Sequence, residues 1–307
     1  MTRQLCLDLA AELREEVRPQ LGAPEGRSHA GSAEGGDVTF AIDERAEARM
    51  EAFLAERAPE VAFYSEDRGM VSSAGDRAEW VLIVDPIDGT RPALAGLESC
   101  CVSIAAARLD SEPTMDDVQV GVVAELKGDT VFVAERGAGL EPAPRLSENR
   151  SLERMLWTYG LRGRPVLALM EVLAELVDAS SVGGASFDLG SATYDMTRVA
   201  TGQLDAYIEP GPRIVDDIPG MREEFERVGR GAILNNSPYD LAAAALCLAE
   251  AGAMVTDAYG QDLGPRPVLG SSHDFQISCV CAANAELHAA ICAAVDHGIE
   301  RLAARAR

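Results

Sequence analysis

The sequence predicts an α+β or α/β protein in which helices pack against mixed β-sheets. Apolar residues recur at helical spacing from Ile42 to Leu54, which is typical of an amphipathic helix. Apolar runs at 61–64 and 80–84 predict strands, and each run ends at acidic residues. The second half of the chain alternates helical and strand patterns. The 307 residues are enough for one large domain or two smaller ones.

The first half contains the patterns of two helices and several strands, with one Gly- and Ser-rich stretch between them. That stretch, residues 22–36, predicts a mobile loop. The other predicted elements, in order, are a helix at 3–17, an extended segment at 37–40, the helix from Ile42, and strands at 61–64, 80–84, 101–107, 118–126 and 130–135. The last three strands are expected to be antiparallel.

A polar, Pro-containing segment at 141–150 predicts a boundary, so we expect domains at 1–147 and 148–307. Helices of the second half are recognisable by the glycines that end them, Gly202 and Gly252. The predicted elements there are helices at 191–201 and 238–251, strands at 254–256 and 277–282, and a last helix that reaches the C-terminus.

The formal net charge of −23 argues against nucleic acid as a partner, because its phosphates would be repelled. A small phosphate substrate remains compatible with this charge, since bound divalent metals invert the charge of a single pocket. The first ten residues do not resemble a signal peptide. No uncharged apolar stretch approaches the roughly 18 residues of a membrane helix, so we expect a cytoplasmic protein without membrane contact.

The stretch W-V-L-I-V-D-P-I-D-G-T at 80–90 places two aspartates at the end of an apolar strand. Two carboxylates this close repel each other, and a cation would resolve the conflict. Other acids also stand where a strand or turn meets a predicted helix, and the full set of candidate ligands is Glu66, Asp67, Asp85, Asp88 and Asp240. Oxygen ligands suit Mg²⁺, Mn²⁺ or Ca²⁺ rather than zinc, and several acids suggest more than one ion.

The turn that follows the second aspartate adds the features of an anion site. If a helix begins after Asp88, its free N–H groups face an anion, and Gly89 lets the backbone approach a phosphate. The Thr90 hydroxyl can orient a water molecule. Metal ions, an oriented water and a bound phosphate together predict hydrolysis of a phosphomonoester.

Each of these residues also has a structural interpretation. Asp85 and Asp88 could be strand-end and turn residues, and Ser237-Pro238-Tyr239-Asp240 has the pattern of a helix N-cap. The sequence motifs of two other classes of phosphate-hydrolysing enzymes are excluded. Pro86 stands where haloacid-dehalogenase-like enzymes have their nucleophilic aspartate, and the chain has no G-x-x-x-x-G-K-[ST] loop.

The D-P-I-D-G-T segment at 85–90 closely resembles a signature of the inositol monophosphatase family of magnesium-dependent phosphatases. Further segments match in the same order along the chain: D-V-T-F-A-I-D at 37–43, S-E-D at 65–67, G-S-A at 190–192 and P-Y-D-L-A-A at 238–243. The resemblance implies a layered α-β-α-β-α sandwich of the sugar-phosphatase type. It also implies a homodimer, and inhibition by lithium as in many members.

The resemblance implies a role for each matching residue. Two Mg²⁺ ions, or Mn²⁺, would be held by Glu66, Asp85 and the Ile87 carbonyl, and by Asp85, Asp88 and Asp240; Asp67 would assist a third ion. The implied catalytic residues are Thr90, Asp43 and Glu66. The implied phosphate-binding residues are Gly89 and Thr90, and the implied substrate-binding residues are Gly190, Ser191, Ala192 and Glu209.

The chain departs from the family pattern at several positions. Arg91-Pro92 follows the Gly-Thr pair where the family has x-N, and Tyr239 replaces a tryptophan. Residues 211–236 form an insertion, which we expect at the mouth of the pocket. Phe187 stands where many relatives have an arginine.

The leading hypothesis is a phosphatase for a small sugar or polyol phosphate, with inositol 1-phosphate as the family default. Fructose 1,6-bisphosphate, 3'-phosphoadenosine 5'-phosphate and histidinol phosphate are alternatives that the sequence does not separate. A different class of function is a non-catalytic scaffold that binds metal or phosphate.

Overall fold

The computed structural model describes residues 2–109 and 112–305. In the first half the helices are α1 (Thr2–Val17), α2 (Ala41–Arg57) and α3 (Thr90–Ala95). The strands of that half are β1 (His29–Ser32), β2 (Val38–Phe40), β3 (Ala62–Ser65), β4 (Gly69–Val71), β5 (Trp80–Asp88), β6 (Cys101–Arg108), β7 (Val118–Glu125), β8 (Val131–Glu135) and β9 (Gly139–Glu141).

The second half contains more helix than strand. Its helices are α4 (Val166–Ser180), α5 (Ala192–Thr201), α6 (Gly211–Asp217), α7 (Met221–Val228), α8 (Pro238–Ala251) and α9 (Ala285–Arg305). Its strands are β10 (Leu156–Tyr159), β11 (Ala185–Phe187), β12 (Ala206–Glu209), β13 (Met254–Thr256) and β14 (Cys279–Ala282). The predicted last helix is present to Arg305, and the final two residues lie outside the described part of the chain.

The larger sheet of the described structure has the strand order β4-β3-β5-β6-β7-β8-β9. Successive residues of β5 point to opposite faces, as the strand period requires. Leu82 and Val84 pack with the apolar faces of α1 and α2, whereas Val81 and Ile83 pack on the other side with α5 and α8. A strand buried on both faces explains why this segment reads as a continuous apolar run.

The smaller sheet has the order β11-β10-β12-β14-β13. Tyr207 of β12 faces α5 and α8, and its neighbours Ala206 and Ile208 face α4, α6 and α9. The layers are therefore helix, sheet, helix, sheet, helix. This confirms the predicted fold class, a layered α-β-α-β-α sandwich with mixed sheets.

The structure differs from the sequence prediction in the Gly- and Ser-rich stretch. Instead of an unstructured loop, it contains a helical turn and the strand β1, which pairs antiparallel with β2. The pairing brings His29 opposite Phe40. Short strands with few apolar residues give a weak alternation signal, which is why the pattern did not reveal this hairpin.

The insertion at 211–236 forms α6 and α7 on the outer face of the smaller sheet, and not the pocket mouth that we expected. Ile214 and Phe225 are fully buried in the outer core with α4 and α9. Only the end of the insertion, at Asn235 and Asn236, reaches a cavity beside the acidic cluster. The apolar residues of these two short helices favour packing over exposure.

The predicted domain boundary lies in the segment between Glu141 and Leu156, where one sheet ends and the other begins. Helix α8 belongs to the second half, yet it packs on β6 and β7 of the first. The division at 147 and 148 stays a prediction. Among the described residues, no helix combines the length and the apolarity that crossing a membrane requires.

Helix α8 can lie this close to the larger sheet because β7 has a glycine at the contact. A Cβ atom built on Gly121 would lie 2.6 Å from the carbonyl oxygen of Ala243. That distance is shorter than packed atoms allow, so any side chain here would push the helix away from the sheet. The same helix begins with the segment that carries Asp240.

We predict that Gly121→Ala lowers the free energy of unfolding by about 1–3 kcal/mol, because the added methyl group overpacks the contact with α8. Urea denaturation measures this loss. Gly31→Ala is the control, since a Cβ atom at Gly31 meets no described atom within 4 Å. Equal stability of the two variants would contradict the argument.

Candidate metal and phosphate site

An extra residue in strand β5 places Asp85 and Asp88 on the same face of the sheet. Residues three apart in a regular strand point to opposite faces. Here Asp85 pairs with Ser103 and Asp88 pairs with Cys101, so two residues of β5 lie opposite one residue of β6. This is a β-bulge, a feature that redirects side chains. Both carboxylates consequently face the central helices.

Asp240 completes the acidic cluster from the other half of the chain. One carboxylate oxygen from each of Asp85, Asp88 and Asp240 lies within 4.8 Å of the others. Asp240 is also the helix-capping residue that its sequence pattern suggested, because its Oδ2 accepts a hydrogen bond from Ser237 N at 2.6 Å. The two interpretations of this residue are thus compatible.

A small cavity lies between these acids, which we call the metal cavity. Glu66 and Ile87 also line it, together with Gly89 and Thr90 of the turn after β5. Of the described residues that line it, none offers an imidazole or a thiolate. Carboxylate and carbonyl oxygens are the ligands of Mg²⁺, Mn²⁺ and Ca²⁺, so this donor set fits the predicted ions.

The electrostatics of the cluster also favour a cation. Burial raises the pKa of Asp85 well above its usual value, and the neighbouring acids raise it further. Burial, followed by repulsion from Asp88, raises the pKa of Asp240 to about 8. Burial, followed by repulsion from Asp240, also raises the pKa of Glu66. Bound divalent ions would reverse these shifts, because they stabilise the ionised carboxylates.

Helix α5 holds Asp88 in place. Ser191 Oγ and Thr193 N donate hydrogen bonds to Asp88 Oδ2 at 2.8 and 2.6 Å. Thr193 Oγ1 also donates to the carbonyl oxygen of Asp240 at 2.6 Å. Burial raises the pKa of Asp88, although these hydrogen bonds oppose the shift. Ser191, which we predicted to bind substrate, is buried and positions a carboxylate, and it lines a neighbouring cavity together with Gly190 and Ala192.

Thr90 and Asp43 form the hydrogen-bonded pair that the resemblance implies. Thr90 Oγ1 lies 3.0 Å from Asp43 Oδ1, and Asp43 Oδ2 accepts a hydrogen bond from Phe40 N. Burial raises the pKa of Asp43 to about 7, against the opposing effect of these hydrogen bonds. Gly89, with φ of 89°, makes the preceding turn. A Cβ atom there would lie 2.5 Å from Ser99 O, so only glycine fits.

Glu66 lies on a turn that is held in place by Glu47, a second acidic residue of helix α2. Glu47 is buried, and its carboxyl accepts hydrogen bonds from Ser65 Oγ at 2.9 Å and from Asp67 N at 3.3 Å. Burial raises the pKa of Glu47 to about 8. Asp67 itself accepts a hydrogen bond from Thr39 Oγ1 and does not line the metal cavity. Its assistance to a third ion therefore remains a prediction.

Glu209, which we predicted to contact the substrate, is buried and paired with an arginine. Its carboxylate is fully buried beneath Arg164, whose Nη2 donates to Glu209 Oε2. The other carboxylate oxygen accepts a hydrogen bond from Gly211 N at 2.7 Å. Arg164, rather than Glu209, lines the cavity beside the acidic cluster. A buried carboxylate requires such a partner, and the partner comes from a distant loop that the sequence pattern did not connect to it.

Residues that support or flank the cluster and that sequence analysis missed include Glu47, Arg162, Thr193 and Asn235. Glu47 carries a signal in hindsight, because it lies four residues after Asp43 and so shares its helix face. Thr193 lies in the first turn of a predicted helix, where free N–H groups are expected. For Arg162 and Asn235, which come from loops, the pattern contains no comparable signal.

The comparison with known families agrees with this geometry. The sequence model of the inositol monophosphatase family matches residues 2–300. The chain is 26% identical over 291 residues to the fructose-1,6-bisphosphatase/inositol-1-monophosphatase of Methanothermobacter thermautotrophicus, and the match covers 91% of each protein. It is 29% identical over 236 residues to the inositol-1-monophosphatase of Mesorhizobium japonicum, covering 74% of this chain and 75% of that protein. A protein named Nus factor SuhB, from Xylella fastidiosa, is 31% identical over 192 residues, covering 60% and 65%.

Solved structures agree in fold. The IMPase of Thermotoga maritima superposes with a TM-score of 0.71 at 21% identity, over 98% of this chain and 100% of that one. The extragenic suppressor protein SuhB from Bartonella henselae gives a TM-score of 0.72 at 22% identity, over 96% and 98%. At these identities the likeness shows the layered fold alone.

We predict that Asp240→Asn stabilises the metal-free protein at alkaline pH. The pKa of Asp240 rises from 3.8 to about 8 on folding. Its contribution to stability is therefore present below about pH 4 and is lost as the pH rises to about 8. The neutral asparagine variant should gain stability relative to the unmodified protein over this range, as thermal denaturation with EDTA measures. Saturating Mg²⁺ should reverse the order, and a pH-independent difference would contradict the assignment.

We predict that Glu47→Ala weakens Mg²⁺ binding about 10- to 100-fold, because it releases the turn that carries Glu66. Titration calorimetry with Mg²⁺ alone measures the affinity. Glu56→Ala is the matched control, since Glu56 is an exposed glutamate of the same helix. Equal affinities for the two variants would show that Glu47 does not position the ligand.

Proposed function

Because the chain belongs to the inositol monophosphatase family, we propose that it is a divalent-metal-dependent phosphomonoesterase for a small sugar or polyol phosphate. The observation that carries the proposal is the convergence of Asp85, Asp88 and Asp240 within 4.8 Å, beside the Thr90–Asp43 pair. The carboxylates that could bind a metal ion and the hydroxyl group that could orient a water molecule therefore line the same cavity. Inositol 1-phosphate is the default substrate within the proposal.

The residues that would hold Mg²⁺, or Mn²⁺, are Glu66, Asp85, Asp88, Asp240 and the carbonyl group of Ile87. Bound there, two or three such ions would supply Lewis acidity, which favours ionisation of a water molecule and neutralises phosphate charge. Without such ions, the negative charge of the cluster would repel a phosphate ester. The acidic residues therefore have to bind metal ions before the negatively charged substrate can bind.

The water would be oriented by Thr90. Its hydroxyl donates a hydrogen bond to Asp43, which leaves the oxygen lone pairs free to accept a hydrogen bond from water. Asp43 has a raised pKa of about 7, so its carboxyl is suited to accept a proton near neutral pH. The backbone N–H groups of Gly89 and Thr90 would donate to the phosphate oxygens, as free groups at the start of a helix can.

The substrate would be a small molecule rather than a nucleic acid. The net charge of −23 repels a phosphate polymer, whereas a single phosphate fits a metal-neutralised cavity. Several relatives are named Nus factors, and others are named inositol-1-monophosphatase or fructose-1,6-bisphosphatase/inositol-1-monophosphatase. A role without catalysis is therefore the principal alternative. The family resemblance further supports a cytoplasmic homodimer.

The test is phosphate release from inositol, sugar and nucleotide monophosphates and bisphosphates while Mg²⁺ is titrated. We expect Mg²⁺-dependent release, and Thr90→Ala should lower kcat about 100-fold or more, as the loss of general acid–base assistance does. Asp88→Asn should abolish release through loss of metal. Asp129→Asn, in an exposed turn, is the control and should behave as the unmodified protein.

Two results would reject the proposal. One is the absence of phosphate release from every ester by folded protein that binds Mg²⁺, which would favour the non-catalytic scaffold. The other is release that persists unchanged in Asp88→Asn, which would place the chemistry elsewhere.

A further inference from the structure

A second cavity adjoins the metal cavity on the side away from Thr90. Asp88, Gly190 and Asp240 line both cavities, whereas Thr90 lines the metal cavity but not the second one. In-line attack on a phosphate places the leaving group opposite the attacking water. Because Thr90 would orient that water, the remainder of a bound ester would point toward the second cavity, which we call the leaving-group cavity.

The leaving group would stay at the mouth of this cavity. Its volume is about 50 Å³, which can hold water molecules but does not enclose a sugar ring. Several polar residues of its lining, Arg164, Asp195 and Asn235 among them, are buried. Of the charged residues that line it in the described part of the chain, Arg162 and Asp188 are the exposed ones. These two side chains are therefore the charged groups that a leaving group can reach.

The two exposed side chains differ in their pairing. Arg162 Nη1 donates a hydrogen bond to Asp37 Oδ2 at 2.5 Å, so its charge already has a partner. Within residues 2–109 and 112–305, by contrast, no side chain donates a hydrogen bond to the carboxylate of Asp188. Partial burial raises the pKa of Asp188, and the positive charges of Arg164 and Arg162 oppose this rise. Asp188 thus presents acceptor oxygens that a ligand can use.

Two loops determine where the carboxylate of Asp188 lies. Asp188 is in the loop between β11 and α5, two residues before Gly190. The backbone groups of Gly190 and Leu161 favour its ionised form, and Leu161 belongs to the loop between β10 and α4. Both residues line the leaving-group cavity. The carboxylate therefore lies where the two loops meet, at the edge of the metal cavity.

The charges of the leaving-group cavity favour hydroxyl groups over a further anion. Four aspartates and two arginines are among the described residues that line it. Each arginine already contacts a carboxylate, that of Asp37 or that of Glu209. A second anionic group on the substrate would meet repulsion from Asp188 that these paired arginines offset little. Hydroxyl groups, in contrast, can donate hydrogen bonds to a carboxylate.

We propose that Asp188 selects the leaving group: its carboxylate binds hydroxyl groups close to the ester oxygen and disfavours leaving groups that carry a second anionic group. Asp188 then does what the buried Glu209 cannot do in this chain. The inference rests on the phosphatase function proposed above, and it adds the residue that sorts the substrates and the direction in which it sorts them.

The first test compares inositol 1-phosphate with cyclohexyl phosphate, which lacks the ring hydroxyl groups. Asp188→Ala should lower kcat/KM for inositol 1-phosphate about 10-fold or more, as loss of a hydrogen bond to a charged group does. The same variant should leave kcat/KM for cyclohexyl phosphate unchanged. Asp178→Ala is the matched control, because Asp178 is an exposed aspartate of α4 that lines neither cavity.

The second test compares 2-phosphoglycerate with glycerol 2-phosphate, in which a hydroxymethyl group replaces the carboxylate. Asp188→Asn removes the charge and keeps the shape of the side chain. It should raise kcat/KM for 2-phosphoglycerate relative to glycerol 2-phosphate about 3- to 10-fold, as removal of a like charge near a protein surface does. Asp178→Asn should leave this ratio unchanged.

Three results bear against the inference in different ways. Equal effects of Asp188→Ala on inositol 1-phosphate and cyclohexyl phosphate would show that Asp188 only shapes its loop, and the inference would be wrong. An unchanged or lower ratio for 2-phosphoglycerate in Asp188→Asn would also overturn it. Absence of release from all four esters by folded protein that binds Mg²⁺ would instead count against the proposed function, and the inference would fail with it.

Discussion

Mutual repulsion among buried carboxylates is the constraint on which the arrangement of this protein depends. Asp85, Asp88 and Asp240 lie within 4.8 Å of one another, and burial raises the pKa of each. Such a cluster opposes folding unless protons or metal ions neutralise it. The surrounding structure fixes each carboxylate. A β-bulge directs Asp85 and Asp88, the N-terminus of α5 donates hydrogen bonds to Asp88, and a capping box holds Asp240. Neutralisation of this cluster, by protons or by a bound cation, is thus a requirement of folding as well as of any chemistry at the site.

The acidic cluster and the loop residues beside it come from different parts of the fold. The acids and the Thr90–Asp43 pair stand on strand ends and helix starts that two cores hold firmly. Arg162, Arg164 and Asn235, by contrast, lie in loops of the second half and meet the site from one side. Loops accept changes in length and composition more readily than packed elements do. Helices α6 and α7 pack in the outer core with α4 and α9, on the other side of the smaller sheet from α5 and α8.

Much of the fold and part of the site were predictable from the sequence, for reasons that differ between residues. The Asp-Pro-Ile-Asp-Gly-Thr segment predicted the acidic strand end because local spacing and apolar patterning both lie within it. The bulge that brings Asp85 and Asp88 to one face was not predictable, since it depends on the register with β6. The pairing of Glu209 with Arg164, 45 residues away in the chain, was not predictable. An ion pair between distant segments leaves no periodic pattern in the sequence, and charge alone does not show which acidic residue stays unpaired.

The hydrogen bonds to Asp88 cross from one half of the chain to the other, and this has a consequence for partial forms of the protein. Asp85 and Asp88 end a strand of the first half, whereas Asp240 and the donors Ser191 and Thr193 begin helices of the second. A nascent chain that has released only its first half, or a proteolytic fragment, holds an incomplete ligand set. The acidic cluster is therefore complete only when both halves of the chain are present and folded together.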